Sequence, residues 1–592
     1  MVRDMQKITK RGSQSNDYIK SYGKMRGINL LPTCLEDGCY CYLENMYVDY
    51  ESGGGAVESI PGFRRLYTFD GAIHLICSAG EYLLIHAGEG LYKIKKEERD
   101  NLPALRPIAS LDDSQSYAYS HNGITFITDG KKIISVNAFG VKTEYFAQGD
   151  AVGCTAFASH EGELFLMNNK SQGTYVYLAR IDEADSVISA EYCFTAPKNA
   201  LSMLSAHGYL WIFTSDAVLG YKKSDGVFRE EFRIDGVCPT SEACLLNNEL
   251  FFLAKDGLYS IWSEGKARLI PRSNAINPML LMEDLTSARI TVWRGYLVVS
   301  VDGRMYLADS KDKLTSTELN EYRWYYLCGI GTHRGDKTVY RYSEIAPEGF
   351  SMHQSPCSIA DGEIMSVQDE NHETIYFVCS EDKRYSVYPT EERYGGVFFP
   401  AKCIHQSDNL LFFGTECNDL CLFNSDMRAK APKHITESPG FNVDEYEAVA
   451  KGRIHPEYYS FDRHAPRYAL LTPSDDCDIP FDKKSDKHPA LALRLKSFPA
   501  STVFTEISYD GGAFITSKRI SNSAFDFYNL NFESHSASSE ECYTEILPKR
   551  RVGWTKKQIA LYSKEYCSPF GVYEISFAYK GQKSRKHYKK GT

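Results

Sequence analysis

No apolar run in this 592-residue chain approaches the length that would span a bilayer. The opening Met1-Val-Arg-Asp-Met-Gln-Lys7 has no apolar signal segment, so synthesis in a cytoplasm is expected. Tryptophan is scarce: five residues against 41 Tyr and 31 Phe give little support to a sugar-binding groove walled by indoles. The 17 cysteines are odd in number and follow no framework spacing, which points to free thiols. The closest pairs, Cys39-Tyr-Cys41 and Cys417-Asn-Asp-Leu-Cys421, have neither a second pair nor histidines at zinc-finger spacing. No metal and no cofactor are expected.

Catalytic signatures are also missing. There is no Gly-x-Ser-x-Gly elbow, no phosphate-binding Gly-x-x-x-x-Gly-Lys-[Ser/Thr] loop and no His-Glu-x-x-His zinc helix. Glycoside hydrolysis needs a carboxylate pair at a set separation, but the acids here sit mostly in turns such as Asp256-Gly257 and Asp302-Gly303. The one string like an Asp-box, Ser508-Tyr-Asp-Gly-Gly-Ala-Phe514, is single and reads as an ordinary hairpin. His121, His160 and His207 take equivalent places beside a strand, which suits a structural hydrogen bond better than a catalyst. No catalytic residue is assigned.

What the chain does have is a repeat. Short apolar-aromatic segments, each followed by a turn and a second strand, recur about every 40 to 47 residues, the period of a β-propeller blade. Examples are Glu81-Tyr-Leu-Leu-Ile-His86 with Gly90-Leu-Tyr-Lys-Ile94, and Gly123-Ile-Thr-Phe-Ile-Thr128 with Lys132-Ile-Ile-Ser-Val136. Others are Gly162-Glu-Leu-Phe-Leu-Met167, Gly208-Tyr-Leu-Trp-Ile-Phe213, Glu249-Leu-Phe-Phe-Leu253 and Gly295-Tyr-Leu-Val-Val-Ser300. Two later copies are Thr374-Ile-Tyr-Phe-Val378 with Tyr385-Ser-Val-Tyr388, and Leu410-Leu-Phe-Phe-Gly414 with Leu420-Cys-Leu-Phe423. The interval between Leu297 and Ile375 is about two periods, so it holds either a divergent blade around Trp324-Tyr-Tyr-Leu327 and Thr338-Val-Tyr-Arg-Tyr342 or an insertion.

Beyond about residue 430 the pattern stops at a Pro/Gly boundary, Ala429-Lys-Ala-Pro-Lys433 and Glu437-Ser-Pro-Gly-Phe441. Strand signals continue, with clean alternation at Leu491, Leu493 and Leu495. The fold class is therefore all-β: a propeller of about seven or eight blades followed by a β-sandwich-like domain. The boundaries read as a basic arm (1–25), a clasp (26–64), the propeller (65–430) and the C-terminal domain (431–592). Pro61-Gly62 sets a turn in the clasp, which leads into the first blade, and Lys549-Arg-Arg551 with Lys556-Lys557 fall on the exposed side of the last domain.

A net charge of -10 argues against general coating of nucleic acid. Both ends are nevertheless basic, from Arg3 to Arg26 and from Lys580 to Lys590, which suits either mobile solvated ends or docking arms.

Arg26-Gly-Ile-Asn-Leu30, Asp37-Gly-Cys39, Glu44-Asn-Met-Tyr-Val-Asp49 and Glu58-Ser-Ile-Pro-Gly-Phe-Arg64 together resemble the opening of a family of tailed-bacteriophage structural proteins. The closing Trp554 through Gln558, Pro569-Phe-Gly-Val-Tyr573 and the basic end are similar to that family's C-terminus, and the architecture is similar to the propeller-bearing nozzle proteins of short tails. Ile60 departs from it, standing where the family more often has Arg, as does the ending Lys583-Ser-Arg-Lys586. The resemblance implies a non-enzymatic virion component of the head-tail connector or tail, made in the host cytoplasm and present in several copies in a ring. Its neighbours would be portal, adaptor or tail proteins, with DNA passing nearby and no sequence-specific reading of it. At the two ends of the chain, Arg26, Asn45, Tyr47, Arg64, Lys583, Arg585 and Lys586 are the candidate partner-docking residues. The alternatives are an interaction propeller with no virion role and a carbohydrate-binding or carbohydrate-degrading propeller.

Overall fold

The computed structural model describes residues 17–23, 27–30, 39–48, 50, 55–100, 102–263, 267–313, 322–335, 337–343, 345–352, 358–360, 364–380, 383–427, 459–477, 482–487, 490–496, 501–522, 541–546, 551–564 and 568–581. Among the described residues, seven antiparallel blades stand around an axis, each built on four strands, with Gly331–Arg334 added to the start of the seventh. Six span 73–110, 117–147, 156–196, 200–235, 239–271 and 289–327. The seventh takes Val397–Ser407, Leu410–Thr415 and Asp419–Phe423, and its fourth strand is Phe63–Thr68 from the other end of the chain. The innermost strands touch in sequence, and that of the seventh blade touches that of the first, so the ring closes.

In each blade the second and third strands are the hairpin whose apolar run marks the repeat. Tyr209–Thr214 and Tyr296–Val301 are buried almost end to end because each is flanked by a neighbouring blade on both faces. The outer strands alternate, as Val227–Asp235 does. Separate apolar clusters fill the seams between blades, for example Phe213 against Phe252 and Leu84 against Ile127.

The long interval in the repeat is an insertion. Trp324 to Leu327 belong to the outermost strand of the sixth blade, whereas Thr338–Tyr342 and Thr374–Val378 lie in a separate five-stranded sheet built from residues 337–394. That sheet imitates a blade in sequence because it, too, pairs aromatic-rich strands across short turns.

The C-terminal domain consists of two packed sheets, and N-terminal strands are woven through both. One sheet centres on Gly571–Gly581, which pairs with Asp17–Gly23, Val57–Ser59, Lys484–Asp486 and Leu491–Lys496. The other carries Tyr468–Leu471, Lys557–Ser563, Ser501–Tyr509 and Ile515–Asn522. Tyr42–Glu44 lies between Tyr468–Leu471 and the outer strand of the sixth blade, so that blade and this sheet form one nine-stranded sheet. Leu491, Leu493 and Leu495 face the core, as their alternation predicts. A single apolar core runs from the sixth blade through the N-terminal strands into the sandwich.

The clasp therefore does more than lead into the first blade: it joins the sandwich to the ring and then closes the ring. Gly62 is needed for close approach, because a Cβ there would stand 1.9 Å from the carbonyl oxygen of Ser460. The placement of Lys557 on an exposed side is also corrected. Its side chain is fully buried beside Asp486 and over the Phe577 ring, which supply the compensation a buried ammonium needs, whereas Arg551 and Lys556 are exposed. Lys549 and Arg550 lie outside the described residues, as does the Pro/Gly boundary at 429–441.

Candidate functional site

The site grows from the closing strand. Phe63 is buried against Phe413, Phe423 and Phe461, so the strand that begins with it is pinned to the seventh blade and to the segment that follows residue 458. Arg64 and Arg65 come next, opposite Leu422 and Cys421. Phe63 N–H donates to Ser460 O, and Asp462 N–H donates to Phe63 O. Across the gap, Arg393 of the inserted sheet donates its backbone N–H to Arg463 O. Phe63, Arg64, Arg65, Arg393, Ser460, Asp462 and Arg463 thereby line a pocket of about 430 Å³ where ring, insertion and C-terminal domain meet.

Electrostatics dominate this pocket. Arg64 makes a fork to Asp100, with Nε at 3.0 Å and Nη2 at 2.7 Å, while Nη1 donates to Asn424 Oδ1. Arg65 pairs with Asp462 and has Nε 3.6 Å from Asp419. Burial acts against the Arg65 charge, but the two carboxylates more than offset it, so its pKa is raised. Asp419 is fully buried behind the pocket and also accepts from Arg334 Nη2, Thr68 Oγ1 and Thr332 Oγ1, at 2.6, 2.6 and 2.7 Å. Arg393 differs from Arg64 and Arg65: its Nη1 donates to the carbonyl oxygens of Thr390 and Glu392, and among the described residues no carboxylate pairs with it. Asp462 and Arg463 both have positive φ, 46° and 68°, in the left-handed region that a residue such as arginine rarely occupies. The backbone bonds of this turn to Phe63 and Arg393 hold it in place.

Of the candidate docking residues among the described ones, only Arg64 lies in this pocket. Asn45 is buried with φ of 56° and works as a staple: Nδ2 donates to Arg467 O at 2.9 Å, and Oδ1 accepts from Cys328 N–H at 2.9 Å. Tyr47 is buried with its ring stacked on Trp293, and its hydroxyl accepts from Arg294. Arg26, Lys583, Arg585 and Lys586 lie outside the described residues. Arg65, Arg393, Asp462 and Arg463 were not identified from the sequence. The adjacency of Arg64 and Arg65 was the one available signal, since the other members are hundreds of residues away.

The three histidines lie on a different feature, the seams between blades. His121 Nδ1 meets Ser159 Oγ at 3.0 Å, His160 Nδ1 meets Ser205 Oγ at 2.9 Å, and His207 Nε2 meets Asn248 O at 2.6 Å. Each reaches from one blade to the next: His121 and His160 meet a serine near the end of its innermost strand, and His207 meets the turn after that strand. Among the described residues no cluster of His, Cys, Asp or Glu side chains is arranged to hold a metal ion, and no helix is long and apolar enough to cross a membrane.

The sequence matches no known family profile and no curated protein. Among solved structures it is similar to the computationally designed Ika8 protein, with 13% identity over 61% of this chain and 99% of that one and a TM-score of 0.34. It is similar also to virginiamycin B lyase from Staphylococcus aureus, with 12% identity over 61% of this chain and 98% of that one and a TM-score of 0.36. For BamB from Moraxella catarrhalis the figures are 9% identity, 61% and 97% coverage, and a TM-score of 0.30. Likenesses this distant carry nothing about activity; the chain is a seven-bladed β-propeller with a β-sandwich joined to it.

Proposed function

We propose that this chain is a non-enzymatic structural component of a tailed-phage particle, placed in the head-tail connector or tail, where the rigid ring presents surfaces to neighbouring copies and virion proteins. The observation that carries the reading is the meeting of the two ends. The opening and closing stretches that resemble the phage family are about 500 residues apart in sequence, yet they build one module. Val57–Ser59 and Asp17–Gly23 pair with Gly571–Gly581, and Ser59 Oγ and backbone N–H both engage Phe570. A module that joins the two ends of the chain and is fused to a ring suits an assembly protein, because the fused part can dock while the ring spaces. Repetition of weak contacts around a symmetric tube then supplies avidity.

The test is proteomic and structural. Particles purified from the source phage should contain the chain in stoichiometric amount, and a reconstruction of the head-tail region should hold a ring of seven-bladed density. Particles that lack the chain, or genes on either side that encode no portal, capsid or tail proteins, would overturn the reading.

A further inference from the structure

We propose that the arginine pocket is a receptor for a carboxylate side chain of an acidic protein segment, received between the closing strand, the inserted sheet and the 459–464 turn. The inference deepens the docking role proposed above and assigns it a place and a chemistry.

Charge is the first argument. Among the described residues, Arg64, Arg65, Arg393 and Arg463 line the pocket with Asp462; Asp100 pairs with Arg64, and the buried Asp419 lies near both Arg65 and Arg334. All three acids are already committed: Asp100 to Arg64, Asp419 to Arg65 and Arg334, and Asp462 to Arg65. Arg393 has only backbone carbonyls as acceptors among the described residues. A guanidinium carries five N–H donors in a planar fork, and two bonds from one nitrogen leave a forked edge for an incoming carboxylate.

Shape and sign select the ligand. The cavity, about 430 Å³, is a concave recess among three elements, which suits one inserted side chain better than a continuous polyphosphate backbone. Asp462 lines the recess and Asp419 lies behind it, so much of the guanidinium charge is already neutralised, and the remaining fork of Arg393 is matched by one singly charged carboxylate. The strained turn is the second structural sign: Arg463 is held at positive φ by contacts with the two other walls, which fixes it on the rim before any ligand arrives.

The experiment uses the full-length chain and a fluorescein-labelled hexaglutamate peptide, read by fluorescence anisotropy at low and high salt. Binding should weaken with salt, and Arg393→Gln should weaken it by about tenfold or more while Arg233→Gln, on the exposed edge of the fourth blade, leaves it unchanged. Arg393→Lys, which keeps the charge and loses the fork, should fall between the two. Inorganic phosphate should compete poorly. If hexaglutamate does not bind, if Arg393→Gln binds it as the parent does, or if a short DNA duplex binds more tightly with the same Arg393 dependence, the assignment is wrong. Because the readout is binding by the purified chain, it can fail while the chain is still found in particles, and the reverse also holds.

Discussion

Lys557 Nζ lies 3.2 Å from Asp486 Oδ1 in the C-terminal sandwich, and neither side chain reaches solvent. The ammonium also donates to Ala490 O at 2.8 Å and stands 4.4 Å from the centre of the Phe577 ring, while Tyr509 Oη and Arg551 N–H donate to the other oxygen of Asp486. Burial pulls the Lys557 pKa down and Asp486 acts against that pull.

Removing one charge should therefore cost more than the pair contributes. Lys557→Met leaves a buried carboxylate without its cation and should destabilise the protein by about 3–5 kcal/mol. Adding Asp486→Asn to Lys557→Met should recover part of that loss. Urea unfolding followed by tryptophan fluorescence, to which Trp554 beside Lys484 and Lys557 contributes, checks both variants. Equal stability of the single variant and the parent would mean that the pair is not buried as described.

Closure of the ring by Phe63–Thr68 makes a separate prediction. Phe63 is fully buried and touches three aromatic rings on two modules. Phe63→Ala should cost about 3–5 kcal/mol, the usual range for a large aromatic truncated in a core. Hydrogen exchange should show the loss first in Asp419–Phe423, its pairing partner, and in the first blade, whose apolar seam includes Leu420 and Leu422. Uniform loss of protection in all seven blades would instead indicate that closure acts on the whole ring at once.

The repeat was legible because the two middle strands of each blade are buried on both faces, as in Leu250-Phe-Phe-Leu253, and so read as unbroken apolar runs. The innermost and outermost strands were not, since one partly faces the axis and the other faces water, as Tyr117–His121 and Val227–Asp235 do. The copy read at 374–378 is not a blade for the same reason: an inserted antiparallel sheet has the same local grammar as a blade. The pocket was hardly legible at all. Arg64 stands in one of the opening motifs, but the pocket forms only where the closing strand pairs with a segment more than 300 residues away and Arg393 of the inserted sheet bonds to Arg463, contacts that no local pattern encodes.

Acid should weaken the ring through its buried histidines. His86 is fully buried, with Nδ1 2.9 Å from Ser116 Oγ; burial first and His74 second lower its pKa to about 4. His405, whose Nε2 meets Ser78 Oγ at 2.7 Å across the seam between the seventh and first blades, is likewise lowered to about 4, by burial and then by Lys96. In the unfolded chain a histidine takes up its proton near pH 6.5. The unfolded state therefore binds more protons between about pH 6.5 and 4, and stability present above that window is lost as pH falls through it. For His86 the loss approaches about 3 kcal/mol. Unfolding free energies measured at pH 7, 5.5 and 4 should decline, and His86→Gln should flatten the slope; an unchanged slope in that variant would remove His86 from the account.

Gly62 provides the sharpest test of how the modules are joined. Its Cα faces the backbone of Ser460, and an added methyl would stand 1.9 Å from that carbonyl oxygen, with Ser460 C and N at 2.6 and 2.7 Å. Backbone cannot swing aside as a side chain does, so Gly62→Ala must push the 459–464 turn away from the closing strand, a misfit that typically costs about 1–3 kcal/mol. Gly23→Ala is the control, because nothing lies within 4 Å of a Cβ there; it should be neutral or slightly stabilising by restricting the unfolded chain. The same displacement shifts Ser460, Asp462 and Arg463, three of the residues that line the arginine pocket, and disturbs the 2.8 Å bond from Asn424 N–H to Gly62 O. Gly62→Ala should thus weaken hexaglutamate binding at temperatures well below its unfolding transition, whereas a variant that loses stability with unaltered binding would mean that the pocket does not depend on this junction.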